Sequence, residues 1–167
     1  ALVGGGSKAR PGEISLAHGG VLFLDELPEY DRAALEAMRQ PLEDGFVSVV
    51  RVNAQAKYPA RMMLIAAMNP CPCGNYGSRT QQCRCKPSEI SRYLARISGP
   101  LLDRIDMQLE VSAVPVKEIA QSAPEESSAV ISARVQAARE RQQARYQGTG
   151  VACNAELSAR QVAEVCE

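Results

Sequence analysis

The sequence predicts an α/β fold built on a parallel sheet, and three observations carry that expectation. Short aliphatic runs, Val21 to Leu24, Met62 to Met68 and Met107 to Val111, recur with turn or helix signals between them, as do strands covered on both faces in a parallel sheet. The first two runs end on polar residues, Asp25-Glu26 and Asn69, and open α/β sheets present their ligand sites at the carboxyl ends of strands. After Val114 the texture changes to a long stretch rich in Ala, Arg and Gln, which reads as helical.

Taken in order, Gly19-Gly20 punctuates the chain before the first strand, and Pro28 breaks the strand pattern after it. Asp31 is placed to cap a helix through Gln40, with Ala34, Leu35 and Met38 at helical spacing and Pro41 as the stop. Glu43-Asp44-Gly45 reads as a turn. Phe46 to Val52 then suits a strand, Asn53-Ala54-Gln55-Ala56 a turn, and Lys57-Tyr58 the returning arm of a hairpin. Pro59 interrupts before the second aliphatic strand. Residues 70–87, dense in Cys, Gly and Pro, form a loop or a metal-pinned insert. Ser88 caps a helix to Ile97, Ser98-Gly99-Pro100 ends it, and a short helix in "LLDRID" leads into the third strand. A boundary near Pro115 divides residues 1–114 from 115–167, the second part holding a helix over 126–146 and a capped helical segment from Asn154.

With 167 residues and 18.0 kDa the chain can bury one real core. No apolar run approaches the roughly 18 residues of a membrane span, and the N-terminus lacks a basic-then-apolar signal. A soluble cytoplasmic protein is the expectation, with no membrane partner. The first residue is not Met and the last residues stop inside a helix-like pattern, so the chain reads as a fragment. Its net charge of zero conceals an asymmetry: from Arg51 to Arg104 nine basic residues face two acidic ones, a net of +7. Such a basic middle suits a polyanion, nucleotide or nucleic acid, and equally an ordinary solvated face.

A strand of aliphatics that ends in two acids suits phosphoryl transfer. The first acid, Asp25, is placed to ligate Mg²⁺; the second, Glu26, to orient or deprotonate the attacking water. The plainer reading is a buried strand with a solvated acidic turn after it. Asn69 ends the second strand, where its amide can hydrogen-bond a phosphate or that water. Arg104, in a short helix before a strand, has a guanidinium suited to the charge on a transferred phosphoryl group, or is a surface arginine. Cys71, Cys73, Cys83 and Cys85 form two C-x-C pairs nine residues apart. Four thiolates can hold tetrahedral Zn²⁺ and order a loop poor in apolar residues, although C-x-C is tighter than usual zinc spacing; the alternative is a reduced, metal-free loop. His18 reads as a hydrogen-bonded structural residue. Arg51 and Lys57 on the hairpin, with Arg79, Arg84 and Lys86 in the Cys loop, suit phosphate contacts to DNA, and Tyr58 and Tyr76 suit base stacking.

The segments "PGEISLAHGGVLFLDELPEYDRAALEAMRQPLEDG", "PARMMLIAAMNPCPCGNYG" and "YLARISGPLLDRIDMQLEV" resemble the magnesium-chelatase-like AAA+ ATPases, in particular the ComM-type competence-protein branch, over nearly all of residues 1–120. The resemblance implies a partial AAA+ P-loop NTPase core, a parallel sheet with flanking helices and a β-hairpin insert, with the start of an α-helical lid after it. It implies ATP and Mg²⁺ as cofactors, Asp25 and Glu26 as the Walker B acids, Asn69 as sensor 1, and Arg104 as an arginine finger reaching a neighbouring subunit of a homo-hexamer. It makes "GEISLAHGG" at residues 12–20 and the hairpin pore-directed inserts, and ATP-driven DNA remodelling the activity of the full-length protein.

No G-x-x-x-x-G-K-[ST] motif occurs, because in "GGGSK" at residues 4–8 the Lys follows the Ser. The isolated chain is therefore expected to bind ATP poorly and hydrolyse none, and to be unstable or self-associating through an exposed sheet edge. The lid's sensor arginine is not identifiable; Arg160 is the nearest candidate. Two other functions compete: a magnesium-chelatase motor subunit that remodels a protein partner, and a non-enzymatic zinc-bearing nucleic-acid-binding module.

Overall fold

The computed structural model describes residues 2–6, 9–51, 54–111, 114 and 126–165, with Arg51 and Ala54 described by their backbone alone. The chain divides into two compact units, Ala1–Ala113 and Val114–Glu167.

In the first unit, two short arms, β1 (Gly4–Gly5) and β2 (Arg10–Pro11), pair antiparallel ahead of a one-turn helix, α1 (Glu13–Leu16). The aliphatic runs then form β3 (Val21–Leu24) and β6 (Met63–Ala66), which pair in parallel with Val21 opposite Met63 and Leu24 opposite Ala66. Between them lie α2 (Arg32–Glu36), α3 (Arg39–Asp44) and an antiparallel hairpin of β4 (Phe46–Arg51) and β5 (Ala54–Pro59). Downstream, α4 (Pro87–Leu94) and α5 (Gly99–Leu102) complete the unit. Parallel register places Leu22, Leu24, Leu64 and Ala66 on one face of the pair. Leu24 on that face joins Ile14, Leu27, Leu35, Met38, Val47, Val49, Ile97 and Leu101 in the core, with Leu22 and Leu64 packed against it.

Several sequence expectations give way. The single helix over 31–40 is two helices, and Pro41 lies inside α3 rather than ending it. The reason is position: in the first turn of a helix the missing proline N–H would have no partner in any case. The stop is Gly45, left-handed at φ 72, whose added Cβ would meet Arg61 Cγ at 2.9 Å. The hairpin closes earlier than expected, its pairing ending at Arg51 opposite Ala54, so residues 54–56 are strand and not turn; Val52 and Asn53 lie outside the described residues. Lys86, not Ser88, is the N-cap of α4, where Pro87 takes the first helical position and Lys86 N–H donates to Glu89 Oε2 at 2.7 Å.

The third strand is absent. Met107, Leu109 and Val111 alternate as a strand's would, yet residues 107–111 are irregular and all three side chains are exposed. A strand exists through a hydrogen-bonded neighbour, and none meets this segment among the described residues. The expected two-sided burial of β3 also fails. Val21, Phe23, Met63 and Ile65, which share the opposite face of the pair, are 55%, 59%, 54% and 44% exposed.

In the second unit α6 (Ser128–Arg145) has no buried residue, and α7 (Ala159–Val165) comes after a short 3-10 turn at Asn154–Glu156. Tyr146 anchors the bend: it is buried and its hydroxyl donates to Asn154 Oδ1 at 2.8 Å, while Asn154 N–H donates to Gln142 Oε1 at 2.9 Å. No helix among the described residues is long and apolar enough to cross a membrane.

Candidate nucleotide and metal sites

The parallel pairing of β3 and β6 brings their carboxyl ends side by side. Ala67 N–H donates to Leu24 O and Leu27 N–H to Ala67 O, both at 2.9 Å, so the ladder continues past the strand ends and crosses Asp25-Glu26. Asn69 lies two residues beyond Ala67. All three polar residues are exposed at this end of the pair. Glu26 is left-handed, at φ 49 and ψ 47, and its N–H donates to Asp25 Oδ1 at 2.9 Å. A left-handed non-glycine backbone costs about 1–2 kcal/mol, and such strain concentrates where a side chain must be aimed.

The stretch after Asn69 turns at once into the Cys loop. Cys71 is fully buried, and the Sγ atoms of Cys71, Cys73, Cys83 and Cys85 lie within 4.8 Å of one another. The separations are 3.4 Å for Cys71–Cys73, 3.7 Å for Cys71–Cys83 and 3.6 Å for Cys73–Cys83. A tetrahedron with metal–sulfur arms of about 2.3 Å has edges of about 3.8 Å, so the tight C-x-C spacing does close a four-ligand cage. All four are free cysteines. Backbone N–H groups supply the surrounding shell. Those of Arg84 and Asn75 hold the Cys73 thiol down at about 6, whereas burial and the neighbouring Cys73 and Cys71 sulfurs push Cys85 up to about 12. Four crowded thiols cannot all ionise alone; a divalent cation removes that conflict, since its ligands bind deprotonated. A concavity of about 570 Å³ opens beside the cage, lined by Cys73, Asn75, Gln81, Gln82 and Arg84.

A residue with no sequence signal lies near both sites. Tyr93, on α4, is 7% exposed. Burial and the Glu29 carboxylate push its phenol up, the Asn69 backbone amide opposes that rise, and Glu26 and Cys71 are further charged neighbours. Just past α4, Arg96 Nη1 meets Glu29 Oε2 at 3.0 Å.

The remaining residues singled out in the sequence are dispersed over the unit. Arg104 is bound by Glu43, with Nη2 at 2.8 Å and Nε at 3.3 Å from Oε2, a contact that raises the guanidinium further. Lys57 Nζ sits 3.4 Å from the centroid of the Phe46 ring. Arg51 takes part in the last backbone pair of the hairpin; its side chain lies outside the described residues. Tyr58 is not available for base stacking, because it packs against the core and its hydroxyl donates to Ala9 O at 2.9 Å. Tyr76, Arg79, Arg84 and Lys86 are exposed. His18 Nδ1 accepts from Arg61 N–H at 3.2 Å, and in the second unit Arg160 pairs with Glu164 one turn on.

A small parallel sheet with flanking helices, acids and an amide at its strand ends and a hairpin inserted between its strands defines part of an AAA+-type α/β domain. The chain belongs to the magnesium chelatase family: residues 1–119 match the model described as magnesium chelatase, subunit ChlI, and residues 125–167 the model of its C-terminal part. Among relatives, YifB of Salmonella typhimurium is 48% identical over 167 residues, 99% of this chain and 32% of the relative. Competence protein ComM of Haemophilus influenzae is 45% identical over 168 residues, 100% of this chain and 32% of that protein. Mb2921c of Mycobacterium bovis is 46% identical over 159 residues, 95% of the chain and 31% of the relative. The chain thus spans about a third of the length of these relatives.

Proposed function

We propose that this chain supplies the hydrolytic strand ends of an ATP-driven motor that remodels DNA. The observation that carries the reading is the placement of Asp25, Glu26 and Asn69 at adjacent carboxyl ends of two parallel strands, where α/β proteins bind ligands. In this reading Asp25 holds Mg²⁺, which when bound offsets charge on the phosphates. Glu26 orients the attacking water and takes its proton, and Asn69 donates its amide to the γ-phosphate or that water. Arg104 leaves Glu43 for the site of the next subunit in a homo-hexamer, there stabilising the transferred phosphoryl group. Arg51 and Lys57 contact DNA phosphates without reading sequence. The Cys cage holds Zn²⁺ as a structural ion, closing the loop on four thiolates. A relative named as a competence protein supports DNA as the substrate.

In the full-length protein Glu26→Gln is expected to lower ATP turnover by roughly 10² to 10⁴-fold, the usual weight of a general base, with nucleotide still bound. An unchanged rate would sink the hydrolytic reading. Branched DNA mixed with full-length protein and ATP tests the substrate: ATP-dependent junction movement supports it, and none removes it. The family description favours one other reading, a chelatase-type motor acting on a protein partner, which predicts hydrolysis without any change in the junctions.

A further inference from the structure

Arg104 is anchored through its backbone and caught by its side chain. Its N–H donates to Leu101 O at 3.1 Å just past α5, and Leu101 is fully buried in the core. The guanidinium then reaches back 61 residues to Glu43, near the end of α3, with Nη2 at 2.8 Å and Nε at 3.3 Å from the same oxygen, Oε2. Two donors on one oxygen fall short of the parallel fork by which arginine grips a carboxylate or phosphate most firmly. The contact is also open to water, the Arg104 side chain being 35% and that of Glu43 60% exposed. Exposed pairs of this kind are weak, so a stronger anion within reach displaces them. A phosphoryl group is such an anion, because it offers an oxygen to each donor and carries more negative charge. Glu43 itself stands two residues ahead of Gly45, whose carbonyl accepts from Ala60 N–H at 2.8 Å at the foot of the β4–β5 hairpin.

We propose that Glu43 is a positioning residue that holds Arg104 within its own subunit and so restrains ATP turnover until a neighbouring subunit's triphosphate takes the guanidinium over. Resting on the nucleotide reading given above, this adds a restraint on the same reaction. An interaction that is present before a reaction and broken on the way to the transition state raises the barrier by its own worth. The pair with Glu43 is of that kind: Nε and Nη2 are both spent on its carboxylate, and the same two donors cannot also serve a transferred phosphoryl group. For an exposed pair the restraint amounts to roughly two- to fivefold in rate.

The test uses full-length protein carrying Glu43→Gln, which keeps the shape of the side chain and removes its charge. Expected are a kcat for ATP raised by roughly two- to fivefold, an unchanged KM, and the same melting temperature and sedimenting mass as the parent. Added to Arg104→Ala, the same substitution should raise nothing, because the residue it releases is gone. An unchanged or lower kcat in Glu43→Gln, while Glu26→Gln abolishes hydrolysis, would overturn the proposal and leave the nucleotide site standing; the pair would then be a structural tie between α3 and the turn after α5. A rise that persists in the Arg104→Ala background would overturn it too, since Glu43 would be acting through another group. Normal hydrolysis by Glu26→Gln is the separate result that removes the nucleotide reading, and this restraint with it.

Discussion

At Glu26 the backbone and the side chain want different residues. Its left-handed φ of 49 suits glycine, and its carboxylate makes no helix-capping hydrogen bond that would repay the conformation. Exchanging left-handed strain of about 1–2 kcal/mol for glycine's added chain entropy of about 0.5–1 kcal/mol leaves a net gain. Glu26→Gly is therefore expected to stabilise the protein by about 0.5–1 kcal/mol while removing the proposed general base. Thermal melting beside the parent checks it, and a lower melting temperature would mean that the carboxylate makes contacts that outweigh the strain. Asp25 does not share the conflict, because its Oδ1 accepts the Glu26 N–H and so helps to set the turn.

At the scale of elements, the Cys loop is held by sulfur and not by apolar packing. Full-length protein purified without chelator is expected to carry one zinc per chain at this cage, lost in Cys83→Ser, whose Sγ faces both Cys71 and Cys73. Loss of the ion should also open the loop to trypsin at the exposed Arg79 and Arg84; full zinc retention by the variant would show that the metal sits elsewhere. Legibility in the sequence tracks how local each signal is. β3, β6 and the hairpin are readable because aliphatic runs bounded by Gly and Pro act over a few residues, and the four cysteines because ligand spacing is itself a local pattern. The break between α2 and α3 is not, since a proline reads as a stop until its place in the helix is known. The Met107–Val111 strand fails because alternation records only a willingness to pair. Tyr93, the Arg96 partner of Glu29 and the Glu43 partner of Arg104 join positions more than 20 residues apart, beyond any spacing rule.

For the first unit as a whole, one surface is bare and apolar. Val21 and Phe23 on β3 stand beside Met63 and Ile65 on β6, all on one face and all at least 44% exposed. The pair is a two-stranded parallel sheet, and both outer strand edges lack a described partner. Two strands with one covered face are marginal in water, and contiguous exposed apolar patches with open edges favour association. The liability expected from the sequence lay at a sheet edge; in the structure it extends to a whole sheet face. Sedimentation of the isolated 167-residue chain is expected to show a mass that rises with concentration in the micromolar range where exposed apolar surface drives association. Replacing Phe23 and Ile65 by Ser and Thr, which leaves the opposite face and its core contacts intact, should shift the chain toward monomer. If the parent chain is already monomeric and melts cooperatively at these concentrations, the exposed face is not a liability, and the stability of the unit must rest on the core around Ile14, Leu35, Met38 and Leu101 alone.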